Sequence, residues 1–419
     1  MYQRTVLKNG IRVVSENIPS VRSFSVGMWI ISGSRDEDSE ENGISHFIEH
    51  LVFKGTKSRT AHDIAKEIDS VGGILNGFTE REYTCFHAKV LDQHWPLAIE
   101  LLSDIFLNSI FDLNEIARER NVVLQEIKMV EDTPDDYIHD LFNQVFWKGY
   151  SLGSPILGEK ERVSSFDRET ICRYFDDHYR ANHLVISIAG SFDHEKVIQR
   201  IEHTFGGLHK RMEVGKRKSP ESNPTVSVFP RDLEQVHLCL GTRGISQIHS
   251  LRYAGYVLNT LLGRGMSSYL FQEIREKRGL AYSIYSYRPA YFDVGQLVVY
   301  AGIAKGSLKA AVRLIIDQFD RLRKEKVRGE ELKRTKEQLK GNLLLSLESS
   351  DSWMTRLAHN EIYFGEHIPV EEVIQGIERV TSEEVSQLAQ DIFREELFCL
   401  TVLGPIGQAK LSRDLLRFR

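Results

Sequence analysis

Residues 43–56 read GISHFIEHLVFKGT, and three side chains in this stretch share one face if it is helical. His46 and His50 are one turn apart, so both imidazoles leave the same side and can reach one ion. Glu49 follows His46 by three positions and lies on that face. It is placed to act as general base on a water at the ion. The order His-x-x-Glu-His is the inverted form of the zinc-helix motif. A catalytic zinc site takes three protein ligands and keeps one position open, so a third ligand must come from elsewhere. The segment 114–130 is expected to be helical and offers Glu119 and Glu126, two turns apart on one face. Val122 and Val123 beside them turn that face towards the interior, where a carboxylate needs a partner such as a metal ion. Spacing alone does not choose between the two glutamates.

Outward from this stretch, the chain reads as mixed strands and helices. Thr5-Val6-Leu7, the turn pair Asn9-Gly10 and Ile11 to Val14 predict a hairpin. Phe24 to Ile31 is a buried strand, and Ser34 to Asn42 an acidic loop. Thr60 and Asp63 form a capping box. Ile74 to Val90 is strand with a turn in it, Leu97 to Phe106 an amphipathic helix, and Leu184 to Ala189 a short buried strand. There is no strict βαβ alternation, so the fold class is α+β layers. With 419 residues, the chain is too long for one core. The stretch 209–224, HKRMEVGKRKSPESNP, is rich in Lys, Arg, Ser and Pro and reads as a linker. It divides the chain into domains 1–208 and 225–419.

The two halves look duplicated. Helix 97–106 leads to Phe111-Asp112-Leu113 and Glu115-Ile116-Ala117-Arg118. Helix 308–319 leads to Val327-Arg328-Gly329 and Glu331-Leu332-Lys333-Arg334. Aligning Glu115 with Glu331 sets Asn342 opposite Glu126. The second half has no His-x-x-Glu-His, so metal chemistry is expected only in the first.

Composition excludes several classes. A net charge of −5 argues against general nucleic-acid binding, which needs a basic face. No apolar run is long enough to span a membrane. The N-terminus carries no signal-peptide or transit-peptide pattern, so the expected location is cytoplasmic. Cys85, Cys172, Cys239 and Cys399 lack C-x-x-C spacing and read as buried thiols.

At this point the chain resembles the pitrilysin-type inverted zinc peptidases, in the branch of the mitochondrial processing peptidase beta subunit and its small bacterial relatives. The resemblance covers nearly the whole chain. It rests on residues 43–56, on GGILNGFTEREYTCF (72–86), on ERNVVLQEIKMVEDTPDD (119–136) and on GRGMSSYLFQEIREKRGLAYSIYS (263–286). It implies two related domains forming a clamp and one Zn2+ per chain, held by His46, His50 and Glu126. Glu49 would be the base, and Glu119 would orient a ligand or water. Substrate would add as a strand along Ile74 to Phe78, in contact with Asn76, Gly77 and Phe78. Arg275 and Tyr282 would hold the substrate carbonyl and stabilise the oxyanion; residue type alone reads Tyr282 as core. Asp136 and Asp140 match positions that receive a substrate arginine. The implied activity is a zinc metalloendopeptidase acting on extended peptides, working as a homodimer. The alternative is a non-catalytic or partner-dependent subunit; such members lose ligands or the base, and this chain keeps both.

Overall fold

The Asn9-Gly10 turn closes the first hairpin of the computed structural model, which describes residues 1–209, 217–406 and 411–419. Gly10 has φ 89°, and Val6 pairs with Arg12. The strands are β1 (Tyr2–Val6), β2 (Arg12–Asn17), β3 (Ser23–Ile30), β4 (Ile74–Thr79), β5 (Thr84–Leu91), β6 (Leu184–Gly190), β7 (Val226–Pro230), β8 (Gln235–Gly244), β9 (Ala281–Tyr287), β10 (Gly295–Ala304) and β11 (Cys399–Gly404). The α-helices in the first half are α1 (Ile44–Val52), α2 (Ala61–Ser70), α3 (Trp95–Asn108), α4 (Leu113–Asp132), α5 (Pro134–Phe146), α6 (Lys160–Ser165), α7 (Arg168–His178) and α8 (His194–Phe205). Those in the second are α9 (Arg252–Gly263), α10 (Leu308–Lys324), α11 (Gly329–Ser346), α12 (Ser350–Tyr363), α13 (Val370–Arg379) and α14 (Ser382–Ile392).

Two sheets result, ordered β1-β2-β6-β3-β5-β4 and β7-β11-β8-β10-β9. Their pairings repeat. β2 is parallel to β6, and β6, β3, β5 and β4 then pair antiparallel in turn. Likewise β7 is parallel to β11, and β11, β8, β10 and β9 follow antiparallel. This identity of pairing is the duplication the two halves of the sequence suggested. The α+β class holds, with each sheet sandwiched between helices.

Each sheet is covered on both faces, which is why β3 and β6 are buried along nearly their whole length rather than alternating. In the first unit, one face meets α1, α3, α4, α7 and α8 through Phe47, Ile48, Leu102, Val123, Ile171 and Ile201. The other face, with Val14, Trp29 and Val185, is covered by Met354, Leu357 and Ala358 of α12. Gly27 permits that approach, since a Cβ there would lie 3.0 Å from Met354 Sδ and 2.6 Å from Trp29 Nε1.

In the second unit, one face packs on α9, α10 and α14. The other, with Cys239, Val298 and Leu403, is covered by Ile138, Leu141, Phe142 and Phe146 of α5. Burial of one such side chain contributes roughly 1.5–3 kcal/mol, so four of them fix α5 firmly to this sheet.

The units are therefore not contiguous halves. The first comprises Met1–Met129, Ser154–Arg217 and Ser346–His367. The second comprises Val130–Gly153, Lys218–Leu345 and Ile368–Arg419. The boundaries expected at 208 and 225 are corrected in this respect: each half lends one helix to the other's sheet. An amphipathic helix shows that it has an apolar face, not which sheet that face will meet. The expected linker 209–224 falls partly on 210–216, outside the described residues. Cys172 is a second correction, being only partly buried, while the other three thiols are buried and all four are free.

Candidate metal centre

The stretch carrying His46, Glu49 and His50 is helical because its apolar residues Ile44, Phe47, Ile48, Leu51 and Val52 form one buried face. The turn into α1 needs Gly43. Its φ is 93°, and a Cβ would lie 2.6 Å from Gly158 Cα. The exposed amides of this helix start are met by Glu37, from the loop read only as acidic. Its buried carboxylate accepts from the backbone N–H groups of Gly43 (2.8 Å) and Ser45 (2.9 Å), and from Asn42 Nδ2 (3.3 Å). A carboxylate at a helix N-terminus is favoured by the dipole and by the unpaired N–H groups. Burial nonetheless pushes Glu37 up to about 8, against the pull of those backbone bonds. The sequence carried the residue but no periodic signal pointing to it.

On the opposite side of α1, the structure brings His46, His50 and Glu126 together. One ligand atom from each lies within 4.8 Å of the others. Glu126 Oε2 is 3.8 Å from His46 Nε2 and 3.6 Å from His50 Nε2. Zinc–nitrogen and zinc–oxygen distances of about 2.1 Å put tetrahedral ligand atoms roughly 3.4 Å apart, so the three donors fit that ion with little adjustment. Glu119, two turns earlier on α4, is buried. Its Oε2 lies 3.1 Å from His50 Nδ1, and its Oε1 lies 2.9 Å from Lys54 Nζ. The structure thus separates two glutamates that spacing left equivalent: Glu126 faces both Nε2 atoms, and Glu119 sits behind one ring.

The electrostatics suit a metal-binding donor set. Burial, and then the neighbouring His50, lower His46 to about 4, so its ring is neutral at pH 7. The neighbouring His50 ring holds Glu126 below the usual carboxylate range. Burial acts to lower His50, but the carboxylates of Glu126 and Glu119 prevail and raise it. Burial raises Glu49 above the ordinary range, against the hydrogen bond that Thr79 Oγ1 donates to its Oε2 at 2.7 Å. A carboxyl raised towards neutrality is suited to taking and returning a proton.

Thr79 is the last residue of β4, and among the described residues β4 is an edge strand, paired with β5. Asn76 is exposed, and the Gly77 N–H donates to the Asn76 side-chain oxygen at 2.9 Å. Gly77 lies against Glu49: a Cβ there would be 3.0 Å from Glu49 Cγ, so an alanine at this position would press on that side chain.

The remaining candidates belong to the second unit. Arg275 lies on a π-helical turn, Phe271–Glu276, with its guanidinium 4.9 Å from the Phe271 ring centroid and 5.4 Å from that of Tyr282. Tyr282 is 78% exposed, so reading it as core by residue type is overturned. Asp136 and Asp140 lie one turn apart on α5, Asp136 exposed and Asp140 partly buried. Among the described residues, no helix is long and apolar enough to cross a membrane.

A helix presenting two histidines and a glutamate beside a distal glutamate, in a duplicated α+β fold, defines the inverted metallopeptidase class. Comparison with known proteins narrows this. Residues 12–160 match the model of Insulinase (Peptidase family M16), and residues 165–339 that of the Peptidase M16 inactive domain. A Bacillus subtilis protein named as the uncharacterized zinc protease YmxG is 42% identical, over 97% of this chain and 99% of its own length. A Streptomyces coelicolor protein named as an uncharacterized zinc protease is 38% identical, over 98% of this chain and 91% of its own. The fold matches the crystal structure of a protease from Helicobacter pylori with a TM-score of 0.90, covering 97% of this chain and 100% of that one at 22% identity. The chain belongs to the M16 peptidase family, the insulinase and pitrilysin type, and the two relatives above are named as zinc proteases.

Proposed function

We propose that the protein is a zinc-dependent endopeptidase that cleaves extended peptides, with His46, His50 and Glu126 holding one ion and Glu49 as the base. One observation carries this reading. Glu49 shares a helix with the two histidines and is at the same time hydrogen-bonded to Thr79 at the end of an edge strand. The base therefore lies between the donor cluster and a strand able to accept another strand. When bound, the ion supplies Lewis-acid polarisation and lowers the pKa of water at the site. Glu49 takes a proton from the attacking water and passes it to the leaving amine. The open edge of β4 aligns the peptide backbone by strand addition, leaving Asn76, Gly77 and Phe78 along it.

Arg275 and Tyr282 are proposed to stabilise the substrate carbonyl. The Arg275 guanidinium lies 5.4 Å from the Tyr282 ring centroid, within cation–π range. Asp136 and Asp140 are proposed to favour arginine-containing peptides, through charge-assisted bonds to guanidinium. A homodimer and a cytoplasmic location belong to the same reading.

The test is metal analysis of the purified protein, paired with mass-spectrometric mapping of peptide-library cleavage. One transition-metal ion per chain and cleavage abolished by a chelator are expected. Glu49→Gln should retain the ion and lose at least about 100-fold in kcat. Absence of stoichiometric metal, or cleavage by the Gln variant at the native rate, would remove the proposal.

A further inference from the structure

Two glutamates of α4 come within reach of the same histidine, yet only one faces the donor cluster. Glu119 Oε2 meets His50 Nδ1 at 3.1 Å, while Glu126 Oε2 is 3.6 Å from Nε2 of the same ring. Glu119 is also met by Lys54, two residues beyond the end of α1. Its Nζ lies 2.9 Å from Glu119 Oε1. Both oxygens of Glu119 are thereby engaged, one by an ammonium and one by an imidazole. Glu119 is only 5% exposed, and a buried carboxylate with an unpaired oxygen is costly. The Lys54 side chain is a third exposed, so it brings the compensating charge while keeping part of its hydration.

We propose that Lys54 is a positioning residue that keeps Glu119 off the metal and so decides which α4 glutamate acts as ligand. The mechanism runs through hydrogen bonds. With Oε1 held by Lys54, Oε2 accepts the His50 Nδ1 proton, and this fixes the tautomer that leaves the Nε2 lone pair towards His46 and Glu126. Without the ammonium, Glu119 has one partner and a free oxygen. It can then turn from the Nδ1 side of the ring and compete with Glu126 for the ion. Residues 43–56 carry Lys54 at four positions after His50, one further helical turn along, but its partner on α4 is visible only in the folded chain.

The inference rests on the proposed ligand set, and the experiment separates the two. Zn2+ affinity is measured by chelator competition on the full chain, and the visible absorption of the Co2+-substituted protein reports the ligands. Lys54→Met should weaken Zn2+ binding by about 10- to 100-fold, the usual cost of losing a group that orients a ligand. It should also shift the Co2+ bands. Lys54→Arg, which keeps a cation, should restore affinity to within a few-fold and return the native spectrum. A double variant with Glu119→Gln should lose little beyond the Glu119 change alone. Thermal unfolding of the metal-free forms separates these effects from loss of fold. If the methionine variant does not accumulate, Lys54→Gln carries the same measurements. Native affinity with an unshifted spectrum in Lys54→Met would overturn the role of Lys54 alone. A wild-type chain that binds neither Zn2+ nor Co2+ would overturn the ligand set itself.

Discussion

The helix after the third strand of the first sheet and the helix at the same place in the second repeat occupy equivalent positions with opposite surfaces. α1 has one apolar face and one that presents His46, Glu49 and His50. α9 follows β8 as α1 follows β3, and it buries Ala254, Val257, Leu258, Asn259, Leu261 and Leu262. The long helices differ in the same way. α4 offers Glu119 and Glu126 where α11 has a buried Thr335 and an exposed Asn342. The strand pairings beneath are the same. The scaffold therefore does not require the metal chemistry. Five side chains on two helices, His46, Glu49, His50, Glu119 and Glu126, distinguish the first repeat from the second, as expected when a site is grafted onto a fold.

The sharpest way to break this comparison is to remove the ligand unique to the first repeat and the residue opposite it in the second. Glu126→Gln should lose stoichiometric metal and reduce cleavage at least about 1,000-fold, because a metal ligand removes the ion's contribution outright. Asn342→Ala, at the matching place on α11, should leave metal content and kcat within about two-fold, as surface changes away from a site commonly do. Equal effects would mean that the repeats share the chemistry after all.

Next in size is the second repeat's own contribution. Arg275→Ala should lower kcat by about 100-fold, the order seen when an oxyanion donor is removed. Metal content should stay unchanged, measured on the same preparations. A change in KM alone would instead assign Arg275 to substrate binding.

The smallest effect concerns the exchanged helices, which treat the two repeats alike. Each sets a partly buried histidine against a tyrosine hydroxyl. His359 of α12 lies 2.9 Å from Tyr83 OH, and His139 of α5 lies 2.6 Å from Tyr287 OH. Burial lowers both histidines from 6.5 to about 4. The unfolded chain then binds protons before the folded one, so the stability is intact above pH 6.5 and lost as pH falls towards 4. Each histidine accounts for roughly 3 kcal/mol at most over that window. Urea unfolding at pH 7 and pH 5 should show a smaller acid loss in His359→Gln and in His139→Gln. An unchanged difference would show that these rings titrate normally in the fold.

Much of the site was legible because it is local. The turn spacing of His46, Glu49 and His50 follows from helix geometry, as does the shared face of Glu119 and Glu126. The hairpin at Asn9-Gly10, the capping box at Thr60 and the repeated order of helices after 97 and after 308 are likewise local patterns. Three decisions were not local. α5 and α12 each bear an apolar stripe that fits either sheet by composition, and only packing assigned them across the halves. Glu37 sits in a loop with no period, and its role depends on where the amides of α1 arrive. The two glutamates of α4 were equivalent by spacing until Lys54 and His50 took both oxygens of one of them.

The sequence by itself determined the chemistry available: a zinc-type helix, a carboxylate helix to complete it, and a duplicated α+β chain whose second copy lacks the metal residues. Tertiary structure alone decided which glutamate faces the two Nε2 atoms, which sheet each exchanged helix covers, and that Glu49 reaches an edge strand. The physical reason is that helical spacing specifies directions along one element. Ligand choice and sheet cover depend instead on distances between elements remote in sequence, set by how their apolar faces pack.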